Sequence, residues 1–148
     1  MREILFRAKT VKSVHWIWGD LFHAGTEPSD GEFAISYWDD EDGWMNKNVQ
    51  PATIGQFTGL LDKHGKRVFE GDIVECVSWN EYFSKDGKPM EPFRRKMFVD
   101  YRKGGFKMVE PMPEPMKDNE WDIICNGDIV IIGNIYDDPQ LIDMKRLG

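Results

Sequence analysis

The segment formed by residues 54–77, IGQFTGLLDKHGKRVFEGDIVECV, constrains the fold more than any other part of the chain. Its middle has the composition of a tight turn that ends at Gly65, where the backbone requires a positive φ. Gly71 and Asp72 form a second corner, and residues 73–77 follow it with a β-rich composition that has no helical period. The segment is therefore predicted to fold as strand, turn, short strand, tight corner and strand.

Short predicted strands also surround this segment. They are separated by turns rich in Gly and Pro, and no part of the chain carries a sustained helical period. These additional strands are predicted over residues 4–8, 14–22, 32–38, 94–101, 106–109, 121–124 and 129–135. A single short helix is predicted over residues 140–146, because Asp138 is a good N-cap residue and Pro139 suits the first helical position. Many short strands at this spacing indicate a β-barrel or a β-sandwich.

Three parts of the sequence resemble the YopX-like proteins of phages and prophages. The central part consists of IGQFTGL, DKHGK and FEGDIV at residues 54–60, 62–66 and 69–74. The opening REILFRA at residues 2–8 and the closing IGNIYDDPQL at residues 132–141 are also similar to the two ends of that family. The structural motif residues in these parts are Gly55, Gln56, Phe57, Thr58, Gly59, Gly65, Phe69, Glu70, Gly71, Asp72, Gly133 and Asn134.

This resemblance implies a small, mainly β protein of mobile genetic elements, of unknown biochemical role and without established catalytic residues. It also supports a barrel over a sandwich. We therefore expect a five-stranded barrel of the Src-homology-3-like type from residues 68–135, an additional amino-terminal β-sheet and one short carboxy-terminal helix. Residues 1–148 are expected to form a single YopX-like domain. Within it, residues 1–50 form an amino-terminal β subregion, and residues 51–148 form the central box and barrel.

Length and composition place the chain among folded proteins. Its 148 residues are 41% hydrophobic and 13% aromatic, which suffices for a packed core without disulfides. Phe57 and Phe69 are expected in that core, and Cys76 and Cys125 are expected to be reduced thiols. No apolar run has the length of a signal peptide or a bilayer span, so we expect the protein in the cytoplasm of a host bacterial cell and not in a membrane.

Charges are segregated along the chain. The net charge of -7 weakly opposes nucleic-acid binding, because phosphates repel an acidic surface. Residues 20–43 contain eight acidic residues and no Lys or Arg, whereas residues 85–107 contain eight basic residues. Such blocks can attract each other within one molecule or between copies of it.

The predicted hairpin at residues 94–107 is the candidate binding surface that the sequence singles out. Its cations and aromatic rings are the groups that bind phosphates and stack on bases in single-stranded nucleic acids. The alternative, which we favour, is a hairpin with aromatic side chains inward and charged side chains outward. The surface comprises Arg94, Arg95, Lys96, Tyr101, Arg102, Lys103 and Lys107.

No residue pattern indicates catalysis, a cofactor or a metal. The three histidines are far apart in sequence and have no neighbours at metal-ligand spacing. The acidic residues 39–42 do not fit a calcium-binding loop, because Trp38 and Val49 would be its first and last ligands. The weak candidates for an unrecognised enzymatic site are Asp72, His64 and Glu70. A turn residue such as Asp72 more often bonds its own backbone.

The sequence leaves three functional hypotheses. The leading one is a non-catalytic accessory protein of a phage or prophage, which forms a homo-oligomer and binds an unknown phage or host protein. The first alternative is a nucleic-acid-binding barrel that uses the basic hairpin. The second alternative is an enzyme with an unrecognised site. The six tryptophans are interpreted as residues that pack in the core and in interfaces.

Overall fold

The chain forms eleven β-strands and two one-turn 3-10 helices within the residues that the structure describes. The structure is a computed structural model, and it describes residues 2–25, 32–78, 93–123 and 129–142. The strands are β1 (Phe6–Lys9), β2 (Trp16–His23), β3 (Phe33–Asp39), β4 (Gly43–Val49), β5 (Gly55–Leu61), β6 (Arg67–Phe69), β7 (Asp72–Ser78), β8 (Phe93–Arg102), β9 (Gly105–Glu110), β10 (Asn119–Asp122) and β11 (Ile129–Asn134). The 3-10 helices are Pro51–Thr53 and Pro139–Leu141. The prediction of a mainly β fold is confirmed.

The structure divides into two compact units, Met1–Gly59 and Leu60–Gly148, called here the amino-terminal unit and the carboxy-terminal unit. The division falls within β5, later than the boundary between residues 50 and 51 that the sequence suggests. A single family domain over residues 1–148 stays a prediction.

The amino-terminal unit is built on an antiparallel sheet with the strand order β4-β3-β2-β1-β5, which β6 extends. The side chains that form its core share one face of this sheet, because alternate residues of a strand point to the same side. The fully packed core residues are Ala8, Ile17, Ile35 and Val49. An isolated bridge joins Thr10, just after β1, to Val49 at the end of β4. The sheet therefore curls around its core and turns its other face outward.

The carboxy-terminal unit contains a second antiparallel sheet, in the order β10-β9-β8-β7-β11. Three consecutive residues of β8, Met97, Phe98 and Val99, are buried, so apolar side chains cover this sheet on both faces. One cluster consists of Val68, Val74, Met97, Val99, Met108 and Ile129, and the other consists of Ile73, Phe98 and Val109. Both faces of the sheet therefore contribute to the stability of the unit.

The predicted Src-homology-3-like barrel is not confirmed. The strands β7 to β11 form an open sheet, and its outer strands, β10 and β11, do not pair with each other in the described part of the chain. A closed barrel requires a continuous ring of hydrogen-bonded strands. The architecture is therefore two antiparallel sheets, of which the amino-terminal one corresponds to the predicted additional sheet.

The carboxy-terminal helix is a single 3-10 turn, Pro139–Leu141, and the predicted residues 143–146 lie outside the described part of the chain. Asp138 makes no side-chain cap hydrogen bond to this turn. Its carboxylate Oδ2 instead accepts the backbone N–H of Asn134 at 3.2 Å. Asp138 therefore occupies the predicted N-cap position, with Pro139 at the first position of the turn, but its side chain holds the preceding turn instead of capping the helix.

The corner after β6 has the conformation that the sequence predicts. Gly71 has a φ of +87°, and a Cβ added there would lie 2.8 Å from Cε2 of Tyr136. The Oδ2 atom of Asp72 accepts the backbone N–H of Phe69 at 2.8 Å across the corner. Phe69 is 3% exposed and Phe57 is 6% exposed, so the prediction that both belong to the core is confirmed.

The substitution Gly71→Val is expected to lower the free energy of unfolding by at least about 1–3 kcal/mol, because valine must adopt a positive φ and displace the ring of Tyr136. The matched control is Gly104→Val, at a φ of +80° where an added Cβ meets nothing within 4 Å. Chemical denaturation of both variants measures the difference. Equal losses at the two positions would show that the contact with Tyr136 does not matter.

The turn between β5 and β6 is held by a carboxylate that the sequence does not single out. Asp62 is buried, and its Oδ1 atom accepts the backbone N–H groups of His64 at 2.8 Å and Lys66 at 2.9 Å. Its Oδ2 atom accepts the N–H of Ile131 in β11 at 3.1 Å. Burial opposes ionisation, but the hydrogen bonds from Lys66, Ile131 and His64 outweigh it and lower the pKa of Asp62. The ionised side chain therefore ties this turn to the last strand of the second sheet.

Asp62→Ala is expected to destabilise the protein by about 1–3 kcal/mol at neutral pH, because three backbone donors lose their acceptor. The folded-state pKa is below the usual value, so this stabilisation is complete above about pH 4 and declines as the pH falls through the folded-state pKa. Thermal unfolding of parent and variant from pH 7 to pH 2.5 tests both expectations. Asp39→Ala, in an exposed turn of similar construction, is the control and should cost less; a constant difference across the pH range would contradict the role of the charge.

Candidate functional site

The basic hairpin that the sequence singles out is present as β8 and β9. Lys103 and Gly104 connect the strands with φ values of +54° and +80°, the combination that a two-residue hairpin turn requires. Tyr101 is exposed, and its ring meets that of Phe106 edge to face with centroids 5.3 Å apart. The hairpin therefore places its cations on a regular pair of strands.

Most cations of this hairpin are paired with carboxylates of the same sheet. Arg94 contacts Glu75 of β7, Arg95 contacts Glu110 of β9, and Lys107 contacts Asp122 of β10; the first two distances are 2.8 Å and 3.1 Å. The guanidinium of Arg95 also lies 5.3 Å from the ring centroid of Trp121. Lys96 is exposed and lies opposite Glu75 in the strand register.

Arg102 is the centre of this charge network. Its guanidinium contacts Asp100 and Glu120 at 2.8 Å each, and Lys103 contacts Glu120 at 3.0 Å. The hydrogen bond to Glu120 is the main cause that raises the pKa of Arg102, and the hydrogen bonds from Arg102 and Lys103 lower the pKa of Glu120. The charges of the hairpin are therefore largely neutralised by neighbouring strands, unlike those of an open cationic surface.

The outward face of the amino-terminal sheet carries three exposed tryptophans, Trp18, Trp38 and Trp44, called here the tryptophan face. They are 50%, 60% and 69% exposed, so these three do not belong to the core, and the alternative that the sequence interpretation allowed, a place in an interface, stays a prediction. In β2, Ile17 points into the core, and Trp18 therefore points outward. Trp38 and Trp44 are opposite each other in β3 and β4, with ring centroids 5.6 Å apart in an edge-to-face arrangement.

A cleft lies on this face, where the paired register of β2 and β3 ends. Their pairing ends at Asp20 and Ser36, at a close approach where a Cβ on Gly19 would lie 2.1 Å from the Ser36 oxygen. Beyond that point β2 pairs only with β1, and β3 pairs only with β4. The cleft has a volume of about 530 Å³, and its lining includes Trp16, Trp18, Trp38, Trp44, His15 and Asp20. It is within the size range of small-ligand sites.

Acidic side chains lie in two places near the tryptophan face: Asp20 lines the cleft, and the others belong to a turn next to Trp38 and Trp44 that does not line it. The turn between Trp38 and Trp44 contains residues 39–42, all acidic. The Oδ1 atom of Asp39 accepts the N–H groups of Glu41 at 2.9 Å and Asp42 at 3.0 Å. The hydrogen bonds from Asp42 and Glu41 lower the pKa of Asp39, so the turn is closed by an ionised carboxylate. The remaining acidic side chains, called here the acidic rim, are exposed: Asp20, Asp40, Glu41 and Asp42.

The family model described as YopX protein matches residues 5–143. This chain belongs to the YopX family. The family resemblance of the three sequence motifs is thereby confirmed. No curated protein matches the chain.

Among solved structures, the YopX chain is similar to the crystal structure of protein EF1440 from Enterococcus faecalis. The TM-score is 0.53 at 18% sequence identity, and the similarity covers 97% of this chain and 100% of that chain. At this identity the similarity concerns the fold alone.

Two of the three weak enzymatic candidates lie at turns of this YopX protein, and the third, Glu70, is half-buried next to Gly71. Asp72 is buried and closes the corner at Gly71, while His64 is exposed in the turn that Asp62 holds. The described residues contain no group of three or more His, Cys, Asp or Glu side chains placed to hold a metal ion. Cys76 is half-buried and is in no disulfide bond with a described residue, and Cys125 lies outside the described residues.

The loop between β1 and β2 contains the hydroxyl–imidazole contact that most resembles a catalytic pair. The Oγ atom of Ser13 lies 2.7 Å from Nδ1 of His15, and Oγ1 of Thr10 lies 3.4 Å from the same nitrogen. Thr10 also accepts the backbone N–H of His15 at 3.2 Å. No carboxylate in the described part of the chain is hydrogen-bonded to His15, although a positioned third group orients the base in such sites. These contacts close the loop.

Among the described residues of the YopX chain, no helix has the length and apolar character of a membrane span.

The tryptophan face is the feature that sequence reasoning missed. Two sequence patterns indicate this face. The period of two in a strand puts Ile17 and Trp18 on opposite faces of the sheet, and Trp38 and Trp44 stand equally far from the middle of one turn, which places them side by side on paired strands.

We expect the basic hairpin not to bind a mixed-sequence oligonucleotide, single- or double-stranded, at micromolar concentration and physiological salt, because its cations already have anionic partners. Titrations at low and physiological salt measure this. Arg102→Ala should instead lower the free energy of unfolding by about 1–3 kcal/mol, because its hydrogen bonds involve charged groups. Lys103→Ala, which removes an exposed cation, should cost less than about 1 kcal/mol.

Micromolar binding of the oligonucleotide with a steep salt dependence would contradict this expectation. If Arg95→Ala and Lys103→Ala then reduced that salt dependence, the hairpin would be a nucleic-acid-binding surface.

Proposed function

We propose that this YopX protein is a phage- or prophage-encoded, non-catalytic module that binds another protein through its tryptophan face. The single observation that carries the proposal is the exposure of Trp18, Trp38 and Trp44 on one face of a regular sheet. The proposed location is the cytoplasm of the host bacterial cell.

Exposed aromatic surface of this size has a free-energy cost in water. Three indoles at this exposure present on the order of a few hundred Å² of mostly apolar area, comparable to the patches that mark interaction sites. Tryptophan is also enriched among the residues that dominate binding energy at protein interfaces. Strands hold these three side chains, so little conformational entropy is lost when a partner covers them.

The acidic rim affects the kind of association that this face supports. Two copies of the face brought together around a twofold axis would place like charges opposite each other, which costs free energy. The tryptophan face therefore suits a different protein better than a second copy. Homo-oligomer formation stays a prediction from the sequence, and it would have to use another surface. Nucleic acid is less favoured as a ligand, because its phosphates would meet the same carboxylates.

The experiment that tests the proposal is affinity purification of the tagged protein from phage-infected or lysogenic cells. We expect a phage or host protein to co-purify in stoichiometric amount with the parent, and the triple variant Trp18→Ser, Trp38→Ser, Trp44→Ser to retain less than about a tenth of it. Trp121→Ser is the matched control, because it removes an exposed tryptophan from the carboxy-terminal unit. Partner recovery that is unchanged in the triple variant would refute the proposed surface.

A further inference from the structure

We infer that the cleft on the tryptophan face receives an arginine side chain carried by an exposed segment of the partner protein. This inference rests on the proposed function and specifies the chemistry of the partner. Two properties of this face support it together: open indole rings and unpaired carboxylates near them.

The indole rings provide the first part of such a site. In the described part of the chain, no cation lies over the rings of Trp18, Trp38 or Trp44, and their indole N–H groups have no hydrogen-bond acceptor. The neighbouring Trp16 shows what this face can accommodate, because the guanidinium of Arg7 lies 4.8 Å from its ring centroid. A guanidinium is attracted to the negative face of an indole ring, and this attraction is strongest where water is partly excluded.

The carboxylates provide the second part. The exposed side chains of Asp20, Asp40, Glu41 and Asp42 form no ion pair with the described residues. Asp39 fixes the turn that carries three of them through its bonds to two backbone N–H groups. The backbone that carries these three charges is therefore already ordered before a ligand arrives, which reduces the ordering cost of binding.

The hairpin of the carboxy-terminal unit is an informative contrast within the same chain. There, Arg94, Arg102, Lys103 and Lys107 meet carboxylates of neighbouring strands. On the tryptophan face, Asp20, Asp40, Glu41 and Asp42 form no such ion pair with the described residues. The cations near this face act elsewhere: Lys47 acts electrostatically on Asp39, and Arg7 and Lys9 lie over the ring of Trp16. A cation from a partner would provide a counterion for the four unpaired carboxylates, whereas an anionic or uncharged ligand would leave the repulsion among them in place.

Arginine fits this combination better than lysine. The planar guanidinium stacks on aromatic rings and is more weakly hydrated than the lysine ammonium, so it loses less hydration in a cleft. Its several N–H donors also allow it to contact a carboxylate while its plane remains on a ring. A cleft of about 530 Å³ has room for such a side chain and the adjoining backbone.

The test uses the full chain and three synthetic peptides of equal length, acetyl-(Gly-Arg)4-amide, acetyl-(Gly-Lys)4-amide and acetyl-(Gly-Glu)4-amide. Binding is followed by the indole N–H resonances of the protein in nitrogen-15 spectra. We expect the arginine peptide to shift the resonances of Trp18, Trp38 and Trp44 and to bind at least about threefold more tightly than the lysine peptide. The glutamate peptide should cause no shift, and the resonance of Trp121 is the internal control.

Two variants separate the contributions of rings and charges. Trp44→Ala is expected to weaken binding of the arginine peptide about fivefold or more. The double variant Asp40→Asn, Asp42→Asn should also weaken it and should reduce its dependence on salt. Both sites are exposed, so the fold should be retained, and an unchanged spectrum outside the tryptophan face verifies this.

Equal binding of the arginine and lysine peptides without indole shifts would overturn the inference, because it would show general attraction to an acidic protein. Absence of binding at millimolar peptide would overturn it as well. If a partner still co-purifies in a tryptophan-dependent manner in that case, the proposed function stands and only the arginine chemistry is wrong.

Discussion

The amino-terminal sheet packs its main apolar cluster on one face, and the surface that we propose for binding lies on the other face. Successive residues of a strand point to opposite sides, so burying Ile17 turns Trp18 outward. The bridge between Thr10 and Val49 curls the sheet around the apolar side. The indoles of Trp18, Trp38 and Trp44 are left exposed on the other face, where they contribute little to the core. A large apolar side chain in such a position has its main use in contacts with another molecule.

The parts of the fold that were predictable are those set by local backbone geometry. A positive φ favours glycine, and the sequence therefore revealed the turn at Gly65 and the corner at Gly71. The strands followed from composition and from a period of two. The burial of Phe57 and Phe69 followed because both are large apolar side chains inside predicted strands.

The parts that were not predictable depend on contacts between residues distant in sequence. Barrel closure is decided by whether the outer strands β10 and β11 meet, which no local pattern encodes. Asp62 resembles an ordinary turn residue until β11 supplies the N–H of Ile131. The partners of Arg102 follow from the register of three strands. The tryptophan face was not predicted, because the sequence does not show which face of the amino-terminal sheet packs the core and which face stays exposed.

The placement of charge in the two units indicates which surface is free to bind. In the carboxy-terminal unit, cations and carboxylates alternate across neighbouring strands, so their attraction stabilises the folded sheet. In the amino-terminal unit, several carboxylates lie together beside exposed rings, an arrangement that raises the free energy of the isolated protein by mutual repulsion. A cationic partner group of the kind proposed would relieve that repulsion and cover the rings in the same step. The two unfavourable features of the free surface would then become favourable contributions to a complex, which neither the charges nor the indoles would provide alone.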